Sequence, residues 1–194
     1  MTQDLVVLLD EAGRPTGHAP RDGVHTHDTP LHLAFSCYVL DADGRVLMTR
    51  RALGKRTWPG VWTNAFCGHP RPGEAPRSAV LRRGREELGL ELADLSLMLP
   101  DFRYRAVDAS GLVENELCPV WFAVARSAPR PDPAEVMDHA WVEVTDLGRA
   151  VAATPWAFSP WSVLQVTALA DLADASVDRP ADRVGSGRLV RAAS

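Results

Sequence analysis

Lysine is nearly absent from this chain: of 21 basic residues, only Lys55 is one. In a sequence so biased toward arginine, alanine and proline, a surviving lysine invites a reason. Cysteine is scarce as well. Cys37, Cys67 and Cys118 are an odd number with no repeating spacing, which argues against a disulfide framework, and no Cys-x-x-Cys pair supports a zinc ribbon. The N-terminus, MTQDLVVLLDEAG, sets a short apolar run beside acids rather than behind a basic segment, so it does not read as a signal peptide. No apolar run reaches the roughly 20 residues of a membrane-spanning helix. The net charge of −4 gives no electrostatic footprint for nucleic acid or an anionic membrane, although local basic clusters can still hold a small anion. A reducing cytoplasm is the expected compartment, and there Cys67 stays a thiol.

What is present reads as one α+β domain, a mixed β-sheet sandwiched between helices, over residues 1–174. LVVLLD is a short strand ended by the turn EAGRPTG, and LHLAFSCYVL and RVLMTR form a hairpin about Asp43-Gly44. ALGKRTWPGVW is loop. Helical residues dominate from Ala75 to Leu88, with Gly89 placed to end the helix in a left-handed conformation. LSLML, FRYRAV and HAWVEV read as strands, as does ENELCPVWFAVA, which alternates and then turns continuously apolar. SAPRPDPAE is a surface loop. A short helix, VTDLGRAVAA, precedes a final one capped by Ser159. Residues 175–194 lack an apolar stripe and read as a mobile tail.

The charged helix carries the first chemical signal. Arg82 and Glu86 share one face, as do Arg83 and Glu87, an arrangement that serves equally as intrahelical ion pairs or as a ligand site. Gly84 costs about 1 kcal/mol against alanine inside a helix, so a close neighbour is expected there. From Gly68 the spacing resembles the Nudix box, G-x5-E-x7-R-E-U-x-E-E-x-G-U with U aliphatic. It matches at Gly68, Glu74, Arg82, Glu86, Glu87, Gly89 and Leu90 and departs at Arg83 and Gly84. The box uses its carboxylates to hold divalent metal against a pyrophosphate. A guanidinium at position 83 removes metal-binding charge and adds a fork that grips diphosphate.

Glu114 and Glu116 are two apart in a strand-like run, so both point to one face. They lead into an apolar strand and call for a cation. His25, His32 and His69 are available, and three imidazoles with two carboxylates suit Mn2+ or Zn2+ better than Mg2+. His18, His27 and His139 read as structural. Cys67 and His69 stand one residue apart in NAFCGHPRPGE, which leaves Cys67 open as ligand, catalytic group or buried small side chain.

HTHDTPLHLAFS, NAFCGHP, the altered Nudix box, RYRA, ENELCPV and FSPW occur in the order that resembles the type I isopentenyl-diphosphate isomerases, from His25 to the final helix. The resemblance implies interconversion of isopentenyl and dimethylallyl diphosphate by proton addition and removal through a carbocation. It implies Cys67 and Glu116 as the facing proton-transfer pair, with Tyr104 touching Glu116 and Trp161 over the intermediate. It places His25, His32, His69, Glu114 and Glu116 around one divalent ion, Mn2+ or Zn2+, and has Glu87 join a Mg2+ to the substrate diphosphate. Arg21, Arg51, Lys55 and Arg83 would hold that diphosphate, with arginine at 21 where the family usually has lysine. The partner is thus a small allylic or homoallylic diphosphate, not nucleic acid or membrane. A Nudix-type hydrolase using Glu74, Glu86 and Glu87 is the alternative, and a metal-stabilised binding module a third reading.

Overall fold

A proline has no N–H to give a β-ladder, and Pro119 divides the run ENELCPVWFAVA in two. In the computed structural model, which describes residues 4–177, the single strand expected there is two strands lying in different sheets. The elements are β1 (Leu5–Leu9), β2 (Pro15–Pro20), α1 (Arg21–Val24), β3 (His32–Leu33), β4 (Phe35–Leu40), β5 (Val46–Arg51), β6 (Trp62–Thr63), β7 (Phe66–Gly68) and α2 (Pro76–Leu88). They continue as β8 (Leu92–Leu99), β9 (Arg103–Val107), β10 (Val113–Leu117), β11 (Val120–Ala125), β12 (Val136–Val142), α3 (Val144–Ala153) and α4 (Pro160–Val177). Part of the expected turn EAGRPTG is strand β2, and α1 stands where no element was expected. The tail expected from 175 lies outside the described residues, except that α4 runs on to Val177.

There are two mixed sheets rather than one. The first has the order β2-β1-β3-β10-β9, the second β12-β5-β4-β11-β8. Each contains one parallel pair, β3 with β10 and β4 with β11. These pairs are the same two stretches of chain, which run side by side and cross together from one sheet to the other. Ala34 N–H to the Leu117 carbonyl (2.9 Å) and Ser36 N–H to the Pro119 carbonyl (3.0 Å) carry the pairing through the bend. Strands β4 and β5 are paired only at Leu40–Val46, and beyond that point they splay. The segment that carries β6 and β7 fills the gap, β6 on β5 and β7 on β4.

Both faces of the second sheet are covered. Phe35, Cys37 and Val39 of β4 pack with Ala79, Val80 and Leu88 of α2, while Tyr38 packs with Leu147 and Val151 of α3 and with the inner side of α4. This is the alternation of a strand buried on both sides. Helix α2 starts on Pro76 and ends at Gly89, whose φ of 60° is the left-handed conformation expected of it. Its buried residues, Ala79, Val80, Gly84, Glu87 and Leu88, form one helical stripe, so Glu87 is a carboxylate on an apolar face.

Gly84 has the close neighbours expected of it: a Cβ there would stand 2.7 Å from Leu92 Cδ1 and 3.1 Å from the Phe66 ring. Gly68 is tighter still. Its Cβ would meet Arg83 Cγ at 2.7 Å and Phe35 Cζ at 2.9 Å, a fully buried ring. Gly68→Ala should therefore cost about 1–3 kcal/mol by overpacking, seen as a lower urea midpoint at unchanged slope. An unchanged midpoint would mean that Arg83 and Phe35 yield freely.

Candidate active site

Strand register sets the first half of the site. Glu116 of β10 pairs with His32 on one side and Tyr104 on the other, so the three lie across the first sheet in one row. Glu114, two residues earlier, faces the same way, as its alternation with Asn115 requires. His25 follows α1, and His69 follows β7. His25, His32, His69 and Glu116 bring one donor atom each within 4.8 Å of one another. Glu116 Oε1 lies 3.2 Å from His69 Nε2, 3.4 Å from His32 Nε2 and 3.9 Å from His25 Nε2. Glu114 stands just outside that mutual cluster, with Oε2 3.5 Å from His25 Nε2. It also accepts a hydrogen bond from Thr57 Oγ1 (2.7 Å) and lies 3.2 Å from Tyr104 Oη, whose one O–H is nearer Glu116 at 2.9 Å.

These residues fit a divalent ion on their own geometry. His32 is fully buried and its Nδ1 lies 3.0 Å from the Pro30 carbonyl, which can only accept. Nδ1 therefore donates to that carbonyl, which turns Nε2 toward the Glu116 carboxylate. His25 Nε2 and His32 Nε2 are both buried without a hydrogen-bond partner in the described residues. Imidazole nitrogens and carboxylate oxygens converging in a buried space suit a positive charge between them. In the protein alone His25 supplies it: burial opposes charge on its ring, yet Glu114 and Glu116 lift its pKa to about 9. Burial would raise Glu116, but the three imidazoles beside it hold its carboxyl well below the usual range. For His69 burial wins over Glu116, and its pKa is lowered.

Strand β7 supplies the second half. Cys67 pairs with Ser36 across the β4–β7 ladder, just past the bend where the sheets part. Its thiol donates to Asn64 Oδ1 (3.4 Å) and lies 3.3 Å from Ser36 Oγ. Burial pushes that thiol's pKa up, against these two polar neighbours. Asn64 is buried and saturated. Its amide donates to the Cys37 and Phe66 carbonyls (3.1 and 2.7 Å), and its oxygen also accepts from Thr63 Oγ1 (2.9 Å) and Trp161 Nε1 (3.1 Å). Gln165 Nε2 donates to Ser36 Oγ at 2.9 Å and is itself held by Tyr38. The thiol and the indole are thereby fixed by one amide.

A cavity of about 280 Å³ joins these halves. Arg21, His25, Arg51, Lys55, Cys67, His69, Arg83, Glu87, Tyr104, Glu114, Glu116 and Trp161 all line it, while His32 lies behind the wall. Trp161 faces Tyr104 and Trp58 at 5.7 and 5.4 Å between rings, with the Arg51 guanidinium 5.3 Å from its centre. At the other end, Lys55 is bonded to Glu135, and Arg83 to Glu87. Burial lowers the pKa of Lys55, opposed by Glu135, and Arg51 and Arg83 lower it further. The remaining box carboxylates do not join Glu87. Glu74 is gripped by both ends of Arg82 at 2.8 Å, and Glu86 is an exposed partner of Arg82 and Arg83.

Sequence reasoning missed Asn64, Ser36, Thr57, Gln165 and Glu135. Asn64 opens the singled-out stretch and so had a signal by proximity. Gln165, 129 residues from its partner Ser36, had none.

The NUDIX domain model matches residues 30–165. An isopentenyl-diphosphate Delta-isomerase of Clavibacter michiganensis is 63% identical over 166 residues, covering 86% of each chain. One from Agromyces mediolanus is 63% identical, covering 86% of this chain and 81% of its own. Among solved structures, a Deinococcus radiodurans protein has a TM-score of 0.66 at 17% identity, over 86% of this chain and 99% of that one, which speaks to the fold alone. No helix of the described residues is long and apolar enough to cross a membrane.

An ion seated among the imidazoles would add about 2.7 kcal/mol at a hundredfold excess over Kd. Titrating Mn2+ or Zn2+ into the chelator-treated protein should raise Tm by about 5–10 °C for a domain of this size, and His32→Ala should lose that rise. Melting that ignores both ions in the unaltered protein would rule out an ion site here.

Proposed function

This chain belongs to the NUDIX family and, within it, to the isopentenyl-diphosphate Delta-isomerases, and on that footing we propose that it interconverts isopentenyl and dimethylallyl diphosphate in the cavity just described. The observation that carries the reading is the two-ended cavity: a buried thiol and a carboxylate at one end, guanidinium and ammonium groups at the other. A five-carbon alkene fits the first and its diphosphate the second. The same observation weighs against hydrolysis, because Glu87 lines the cavity without Glu74 or Glu86, which are paired with Arg82, and Arg83 takes the place of the missing box acid.

In this mechanism Cys67 and Glu116 exchange protons with the two ends of the allylic system, one adding as the other removes. Tyr104 Oη donates to Glu116 Oε2 at 2.9 Å, so Glu116 holds one oxygen in a fixed hydrogen bond. Asn64 and Ser36 hold the sulfur in place. Each positioned proton donor or acceptor is worth roughly 10²–10⁴-fold. Trp161 offers its ring to the tertiary cation, an attraction of about 2 kcal/mol in a dry site. That is some tens of fold in rate, so proton positioning and exclusion of water supply more. Arg21, Arg51, Lys55 and Arg83 hold the diphosphate. Mn2+ or Zn2+ bound by His25, His32, His69, Glu114 and Glu116 would tune the proton affinity of Glu116, and Mg2+ at Glu87 would neutralise diphosphate charge.

Incubation with isopentenyl diphosphate and Mg2+ in D2O, followed by NMR, should show isomerisation with deuterium uptake. Phosphate or pyrophosphate release would mark a hydrolase instead. Cys67→Ala and Glu116→Gln should each lower kcat by about 10²-fold or more with the fold intact, and substantial activity in Cys67→Ala would remove the thiol from proton transfer. Lys55 sits among Arg51, Arg83 and Glu135, where a planar fork cannot replace a compact ammonium. Lys55→Arg should raise KM about threefold or more, and unchanged kinetics would make the lysine incidental.

A further inference from the structure

Glu135 ends the proline-rich segment before β12, and its backbone is pinned on both sides. Its carbonyl accepts from Ala52 N–H at 3.0 Å, and its own N–H donates to the Asp132 carbonyl at 3.0 Å. Asp132 N–H in turn reaches the Glu87 carbonyl at 2.8 Å, tying this segment to the end of α2. The Glu135 carboxylate is therefore held at the cationic end of the cavity. One oxygen is bonded to the Lys55 ammonium, and the other lies 3.6 Å from Arg83 Nη2. That same Arg83 nitrogen is bonded to Glu87.

Three of the four cations at this end are thus engaged by carboxylates of the chain, Arg21 by Asp4 at 3.3 Å, Lys55 by Glu135 and Arg83 by Glu87. Burial pushes the Glu135 carboxyl up, but Lys55 and Arg83 outweigh it and hold it below the usual range, so it is charged at neutral pH. A bare diphosphate meets it as a competitor for Lys55 and as a like charge. A diphosphate that arrives with a divalent cation offers Glu135 a new counter-charge, which frees Lys55 and Arg83 for phosphate.

Resting on the reading of this cavity as a diphosphate site, we propose that Glu135 is a specificity-determining residue that makes diphosphate binding conditional on a divalent cation. Lys55 suits the exchange. An ammonium can turn its three donors between a carboxylate and a phosphate, where a guanidinium fork locks to one partner.

Inorganic pyrophosphate is the probe, titrated calorimetrically into the full chain with and without Mg2+. The unaltered protein should bind it about tenfold or more weakly without Mg2+, a coupling of ordinary size. Glu135→Gln should bind the metal-free ion about tenfold tighter than the unaltered protein does and lose most of the Mg2+ dependence. Glu135→Asp, which keeps the charge, should keep that dependence. Equal Mg2+ dependence in the unaltered protein and the glutamine variant would overturn the proposal. So would weaker metal-free binding in the glutamine variant, which would make Glu135 only a prop for Lys55. The two readings fail separately. Absence of alkene isomerisation with pyrophosphate linkage intact sinks the isomerase reading alone, whereas no pyrophosphate binding with Mg2+ sinks the diphosphate site and the role of Glu135 with it.

Discussion

Two backbone hydrogen bonds, from Ala34 to Leu117 and from Ser36 to Pro119, carry a pair of parallel strands from one sheet into the other, and the site stands or falls with that crossing. Before the bend, β3 and β10 place His32 and Glu116 side by side. After it, β4 receives β7 and with it Cys67. A straight strand pair would set the carboxylate and the thiol on one continuous surface. The bend opens a cleft between the sheets instead, and the two groups face into it from different strands. Pro119 is well suited to the turn, because its missing N–H asks for no partner where the ladder changes sheets.

Charge inside the cleft is segregated. Glu114, Glu116 and the imidazoles converge at the end fed by the first sheet, and guanidinium groups with Lys55 outnumber Glu87 and Glu135 at the end formed by α2 and the loop after β5. Burial makes each arrangement costly unless it is complemented. The first end therefore suits a cation, with three imidazoles and Glu116 converging, while at the second Glu135 and Glu87 complement Lys55 and Arg83 and an anion would compete with them. A substrate whose head is a diphosphate and whose tail passes through a cation would meet that competition at the second end. Trp161 lines the cavity as well, its indole N–H tied to Asn64 and its ring against Tyr104, Trp58 and the Arg51 guanidinium.

Much of this was legible in the sequence wherever the signal was local or carried by order along the chain. Helix α2, its glycine stop and the need for a neighbour at Gly84 follow from spacing and propensity, and the structure has all three. The residues picked out by the family resemblance lie around one cavity, with His32 just behind it. The misses have physical causes. The passage of ENELCPVWFAVA from alternation into an apolar run concealed a change of sheet, although Pro119 stood within it. Prolines at both ends of β2 disguised an edge strand, where they are tolerated. Glu135 and Gln165 act through partners 80 and 129 residues away, and no local pattern announces such contacts.

The stretch from Cys67 to His69 shows how three consecutive residues can serve three purposes. Strand alternation sends neighbours to opposite faces. Cys67 turns its sulfur toward the cavity, and His69, two residues on, returns to the same side and reaches Glu116. Gly68 points the other way, where α2 presses so closely that a Cβ would collide with Arg83 and Phe35. The absence of a side chain at 68 lets Arg83 come down beside the strand and into the cavity with Glu87. Had position 83 kept the glutamate of the Nudix box, that approach would bring a carboxylate toward the carboxylates already present. With arginine there, the same glycine brings a cation into the cavity, within one residue of the thiol.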